Sequence, residues 1–199
     1  MNDFVLHPGL PKSATSTLQR ALFSNHSELH YLGKRLDSPS LKGCASDEIY
    51  EFLKPVLWNG RHFDPEQSRT RYRELVIERA NPEHSVVGSW EALGLLHPDR
   101  FAAMLSRLVH TVGRPRVLFG LRNPLSRIPS GYLQQLQGNF VRGNRKAFAN
   151  SPYLDIRQWL DNQVQINGGD LFWTYYLANI RTTVQELGAQ SVGVLVFEQ

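Results

Sequence analysis

The chain has 199 residues, 41% of them hydrophobic and 20% charged, which is the make-up of one folded domain and excludes a disordered or fibrous polypeptide. Lys and Arg number 22 against 18 Asp and Glu, a formal net charge of +4, which favours an anionic ligand somewhere on the surface. The basic residues are scattered and do not interleave with aromatics, so nucleic-acid binding is not expected. The single cysteine, Cys44, excludes an internal disulfide or a cysteine-built zinc site and suits a reducing compartment.

The N-terminus carries no basic lead before Phe4-Val5-Leu6, and nowhere does the sequence approach the ~20 consecutive apolar residues of a membrane span. A soluble, cytoplasmic protein is expected. Phe4-Val5-Leu6 reads as a buried strand that meets the turn signal Pro8-Gly9. From Thr15 the positions Leu18, Ala21 and Leu22 have helical spacing, up to about Ser24. Helices are predicted over 46–58 and 65–80, separated by the turn Trp58-Asn59-Gly60-Arg61. A second strand is expected over 84–89, a helix over 98–111 and a third strand over 116–121. Pro124 opens another helix towards Gln137, which Pro129 should bend or delay. A polar loop over 138–151 holds the densest basic group, Arg142, Arg145 and Lys146. Two helices, over 153–164 and 170–187, and a last strand over 192–197 complete the order. Alternating strands and helices imply an α/β fold with a central parallel sheet flanked by helices in three layers, as one domain over 1–199.

The loop between the first strand and the first helix is the first chemical signal. A phosphate or sulfate group needs converging N–H donors and a nearby cation, and a helix N-terminus after a tight turn supplies the donors. Lys12, Ser13, Ala14, Thr15 and Ser16 occupy that place. The spacing is not G-x-x-x-x-G-K-[ST], since the lysine precedes Ala14 and follows no second glycine. Serine and threonine are also preferred helix caps, so the loop alone fits a capped helix start equally well.

Pro11-Lys12-Ser13-Ala14-Thr15-Ser16 resembles the P-K-[ST]-G-T-T loop of sulfotransferases that use 3′-phosphoadenosine 5′-phosphosulfate (PAPS). Arg122-Asn123-Pro124, with Ser130 eight positions after the arginine, resembles the second nucleotide motif of that family, also at the end of a strand. The resemblance implies a P-loop-type fold, PAPS as co-substrate and no metal. It implies that the 5′-phosphosulfate is held by the loop and the 3′-phosphate by Arg122 and Ser130, whose fork and hydroxyl suit a phosphate. It further implies sulfuryl transfer to an acceptor hydroxyl or amine, with Lys12 stabilising the leaving oxygen. Ser89-Trp90-Glu91 resembles the Ser-x-Glu strand end of bacterial and glycan-directed members, which points to a carbohydrate or glycolipid acceptor. In that family a further segment follows the last strand, so the chain is expected to lack its C-terminal part.

An acceptor hydroxyl needs a base. Glu91 is the first candidate, though a solvated glutamate in a first helical turn would read the same way; His7 and His30 follow. His7 also fits a packed strand end, and His30, beside Tyr31 and Leu32, a half-buried edge. Trp90, Trp173, Tyr175 and Tyr176 fit a stacking wall for an acceptor, but aromatics at such spacing belong more often to the core. The basic loop fits either an acceptor-facing cover or a solvated surface. Two other classes remain open. A P-loop kinase or nucleotide hydrolase would need its lysine after a second glycine and an acidic magnesium ligand. A catalytically degenerate binding module would keep the fold and bind nucleotide without turnover.

Overall fold

The first apolar run becomes the central strand. The structure, a computed structural model, describes residues 3–33, 46–140, 154–166 and 175–197. Phe4–His7 form β1, in which Leu6 and His7 are fully buried. β1 pairs on one side with β3 (Ser85–Ser89) and on the other with β4 (Arg116–Arg122). β2 (Leu29–Tyr31) lies outside β3 and β5 (Val192–Phe197) outside β4, so the order is β2-β3-β1-β4-β5, all parallel. Parallel neighbours cannot be joined by hairpins, and helices fill the crossovers.

These helices are α1 (Thr15–Thr17, continuing as a π-helix over Leu18–Phe23), α2 (Asp47–Leu57) and α3 (Pro65–Tyr72, continuing as a π-helix over Arg73–Ile77). They are followed by α4 (Pro98–Val112), α5 (Pro124–Phe140), α6 (Ile156–Ile166) and α7 (Tyr175–Leu187). The α/β class and the parallel sheet expected from the alternation are therefore found.

Local chemistry starts and stops these elements. The Ser46 hydroxyl accepts the Ile49 N–H at 3.2 Å and the Asp64 carboxylate accepts the Gln67 N–H at 2.9 Å, capping α2 and α3. α4 begins on Pro98 and ends at Gly113, whose φ of 87° only glycine adopts without strain. α2 and α4 then lay Phe52, Leu53, Val56, Phe101, Leu105 and Leu108 against Leu6, Val86, Val117 and Phe119 of the sheet. Each such side chain contributes about 1.5–3 kcal/mol by leaving water, so truncating Leu105 to alanine removes about 2–5 kcal/mol.

Three boundaries differ from the sequence reading. β2 is a separate edge strand, too short at three residues to show a period of its own, and His30 sits in it half-buried. α5 runs through Pro129 without a break, because the one hydrogen bond that proline forfeits would go to the Leu125 carbonyl in the first turn of a 17-residue helix. The same helix carries the backbone on to Phe140, past the expected start of the polar loop. Cys44, Arg142, Arg145, Lys146 and Trp173 lie outside the described residues.

The strand order also sets where a ligand fits. From β1 the chain moves towards β2 at one edge; from β4 it moves to β5 at the other. β1 and β4 are adjacent, so the segments leaving their carboxyl ends diverge and open a crevice between them. The loop at Lys12 and the turn at Arg122 flank it.

Candidate functional site

The loop after β1 is bent by backbone that ordinary residues avoid. Gly9 has φ 76°, and a Cβ there would fall 2.6 Å from the Cα of Glu91, so glycine is needed for the loop to pass the end of β3. The Trp90 N–H donates to the His7 carbonyl at 3.1 Å and the Gly94 N–H to the Pro8 carbonyl at 2.9 Å, which ties the loop to the segment after β3. Lys12 and Ala14 then take φ of 69° and 53°, left-handed conformations that cost roughly 1–2 kcal/mol for a residue with a Cβ. Ala14 thus adopts the positive φ that its methyl disfavours.

That geometry decides what the helix start offers. The cap position of α1 is Ala14, whose side chain accepts no hydrogen bond. Its carbonyl receives the N–H groups of Thr17 and Leu18, both at 3.0 Å, while the helix itself holds no acceptor for those of Thr15 and Ser16. A helix start closed by its own cap residue is not what the chain builds. The end of α1 keeps the partial positive charge of its amides.

Two arginines hold the loop from the other side of the crevice. Arg122, the last residue of β4, donates from Nη1 to the Lys12 carbonyl at 3.2 Å and from Nε to the Ser126 hydroxyl at 3.1 Å. Arg127, in the first turns of α5, donates from Nε to the Pro11 carbonyl at 2.9 Å. Arg127 is only 6% exposed, and burial lowers its guanidinium to about 10, which leaves it protonated at neutral pH. Hydrogen bonds from charged donors are the stronger kind, and these two brace the strained residues Lys12 to Ala14.

A cavity of about 260 Å³ opens beside this loop. Its wall joins Lys12, Ala14, Thr15, Ser16, Glu91 and Arg122, six of the residues singled out in the sequence, with Pro11 and Gln134 completing it. Ser13 is not part of that wall. It is fully buried under the loop, its hydroxyl without a partner and its N–H donating to the Leu10 carbonyl at 3.2 Å. Ser130 is half-buried on α5 and is likewise not among the lining residues. Two cations and an uncapped helix start suit a doubly charged oxyanion, and the Glu91 carboxylate in the same cavity is a proton acceptor.

The histidines lie elsewhere. His7 is fully buried at the end of β1, with Nδ1 2.7 Å from the Ser89 hydroxyl, which also accepts from Gln19 Nε2 at 2.9 Å. Its ring meets the edge of Phe23 at 5.4 Å, and burial pulls its pKa down to about 4, the nearby Glu91 charge opposing this, so the imidazole is neutral. Gln19 and His7 thus converge on the one Ser89 hydroxyl. The triad props the strand end under the loop. His30 on β2 is also lowered, by burial and then by the charge of His84, and neither histidine is among the lining residues.

Trp90 is core: 4% exposed and edge-on to Trp58 at 5.9 Å. Tyr175 packs edge-on to His97 at 5.4 Å, and Tyr176 is half-buried. Sequence reasoning passed over Arg127 and Gln134 as site residues. Arg127 lies between Pro124 and Ser130 of the second motif, but only the fold shows that it turns inward; Gln134 had no signal beyond lying on the same helix. Among the described residues, no helix is long and apolar enough to cross a membrane, and no group of three or more His, Cys, Asp or Glu is placed to hold a metal ion.

No protein-family model matches the sequence, and no curated protein matches it significantly. Among solved structures, a sulfotransferase from Alicyclobacillus acidocaldarius superposes with a TM-score of 0.59 at 17% identity, over 98% of this chain and 73% of that one. The five parallel strands, the loop at Lys12 and the turn at Arg122 are thus set in a sulfotransferase-like fold.

Proposed function

We propose that the chain is a PAPS-dependent sulfotransferase, a cytoplasmic enzyme that transfers a sulfuryl group to a hydroxyl of an acceptor, of carbohydrate or glycolipid type. The observation that carries this reading is the meeting of Lys12 and Arg122 around the uncapped start of α1, at the crevice between β1 and β4. The cation pair and the helix amides match a strongly anionic ligand. The wall formed by Lys12, Ala14, Thr15 and Ser16 is assigned to the 5′-phosphosulfate, with Ser13 supporting it from beneath, and Arg122 with Ser130 to the 3′-phosphate.

In the proposed reaction the acceptor oxygen forms a bond to sulfur as the bond from sulfur to the 5′-phosphate oxygen breaks. The electron pair leaves with adenosine 3′,5′-bisphosphate, Lys12 stabilises the charge on the departing oxygen, and Glu91 takes the acceptor's proton. Positioning and charge stabilisation are the protein's main contributions, as in phosphoryl transfer, and the scheme invokes no metal.

Calorimetry tests the reading. Adenosine 3′,5′-bisphosphate is expected to bind the chain in preference to ATP with magnesium. Lys12→Ala and Arg122→Ala should each weaken it at least tenfold, a loss of about 1.4 kcal/mol. A preference for ATP with magnesium would overturn it.

A further inference from the structure

A second cavity, also of about 260 Å³, adjoins the first and shares Pro11, Lys12 and Gln134 with it. We infer that it is the acceptor pocket and that it takes a single polyhydroxylated ring, such as the terminal sugar of a glycan. This rests on the sulfotransferase reading and adds to it a place and a specificity.

In-line displacement requires the attacking oxygen and the leaving oxygen on opposite sides of sulfur; the two cavities meet at Lys12, so the attacking hydroxyl of an acceptor seated in the second reaches into the first, whose wall holds Glu91. The lining then selects the acceptor. Gln134, Gln135 and Gln163 bring three amides to it, each both donor and acceptor like the hydroxyls of a sugar. Trp159 sets one of them: its Nε1–H donates to Gln135 Oε1 at 2.7 Å. An indole N–H only donates, so Oε1 must face it, and the Gln135 NH₂ group is the part left to meet a ligand. Trp159 is itself 3% exposed and held against Tyr132 at 5.5 Å, so it fixes Gln135 from beneath, and Leu95 is the apolar side chain of the wall. Among the described residues the lining carries two cations, Lys12 and Arg127, and no carboxylate, so an amine acceptor finds no counter-charge. The volume lies below the ~300–1,000 Å³ of pockets that hold drug-sized ligands, which fits one sugar ring and not a whole oligosaccharide.

The test uses the whole chain saturated with adenosine 3′,5′-bisphosphate, with saturation-transfer NMR of methyl β-galactopyranoside and p-nitrophenol as probes. The glycoside should give a signal that falls at least fivefold in Gln163→Leu and in Leu95→Trp, the second variant blocking the cavity by bulk alone. Bisphosphate affinity should stay within twofold in both, which also shows that they fold. A glycoside signal absent from the unmodified chain or unchanged in both variants, or a signal from the phenol alone, overturns the pocket while bisphosphate binding leaves the sulfotransferase reading standing. Failure of the bisphosphate to bind overturns that reading and this inference with it.

Discussion

Arg127 and Pro11 are 116 residues apart in sequence, yet a 2.9 Å hydrogen bond from the Arg127 Nε to the Pro11 carbonyl joins α5 to the loop after β1. Replacing Arg127 with methionine leaves that carbonyl without its charged donor. The expected cost is about 1.5–3 kcal/mol of stability, read by urea denaturation, and weaker binding of adenosine 3′,5′-bisphosphate read by calorimetry. Arg127→Lys should recover less than half of either loss, since a point charge does not replace the fork. Unchanged stability and binding in the methionine variant would deny the brace.

Ala14→Gly should stabilise the protein. Relief of a left-handed alanine, at roughly 1–2 kcal/mol, is opposed by the added freedom of glycine in the unfolded chain, leaving a gain of about 0.5–1 kcal/mol. A higher urea midpoint at constant m-value is the readout. A loss instead would mean that the alanine is not strained there.

His7 predicts an acid-sensitive core. Its folded pKa of about 4 lies below the unfolded 6.5, so the unfolded chain binds the proton more readily. Stability is then full above the unfolded value and falls as pH drops from 6.5 towards 4, by about 2 kcal/mol on reaching about pH 5. Denaturation curves at several pH values should show this slope, and His7→Asn should flatten it. An unaltered slope in the variant would assign it to other groups.

Glu91→Gln keeps the size of the side chain and removes the proton acceptor. Turnover with PAPS and a glycan acceptor should drop roughly 10²- to 10⁴-fold, with bisphosphate binding little changed. Undiminished turnover would remove Glu91 from the chemistry.

Much of the fold was legible because buried parallel strands announce themselves as short apolar runs between helices of clear period. Phe4 to Leu6 and the 116–121 segment needed nothing more. β2 did not show, since three half-buried residues on an edge carry no pattern. α5 shows the opposite problem. Leu125 and Leu133 are 79% and 57% exposed while Arg127 is 6% exposed, so its apolar pattern points the wrong way and the inward charge is visible only once the loop is beside it. The wall from Lys12 to Ser16 was readable as a motif, and Arg122 as its distant partner. The burial of Ser13 and the place of Gln134 were not, because both depend on which way a strained backbone turns.

The adjacency of β1 and β4 ties the site to the order in which the chain acquires structure. Lys12 meets Arg122, 110 positions away in sequence, so the loop has no brace until β4 has docked beside β1. Closing so long a span costs chain entropy before any contact rewards it, which places assembly of the braced loop late and makes the sheet's formation its precondition. Ligand affinity is therefore a reporter of complete folding: a partly folded chain with α1 to α4 in place would have the residues of the loop and none of its grip.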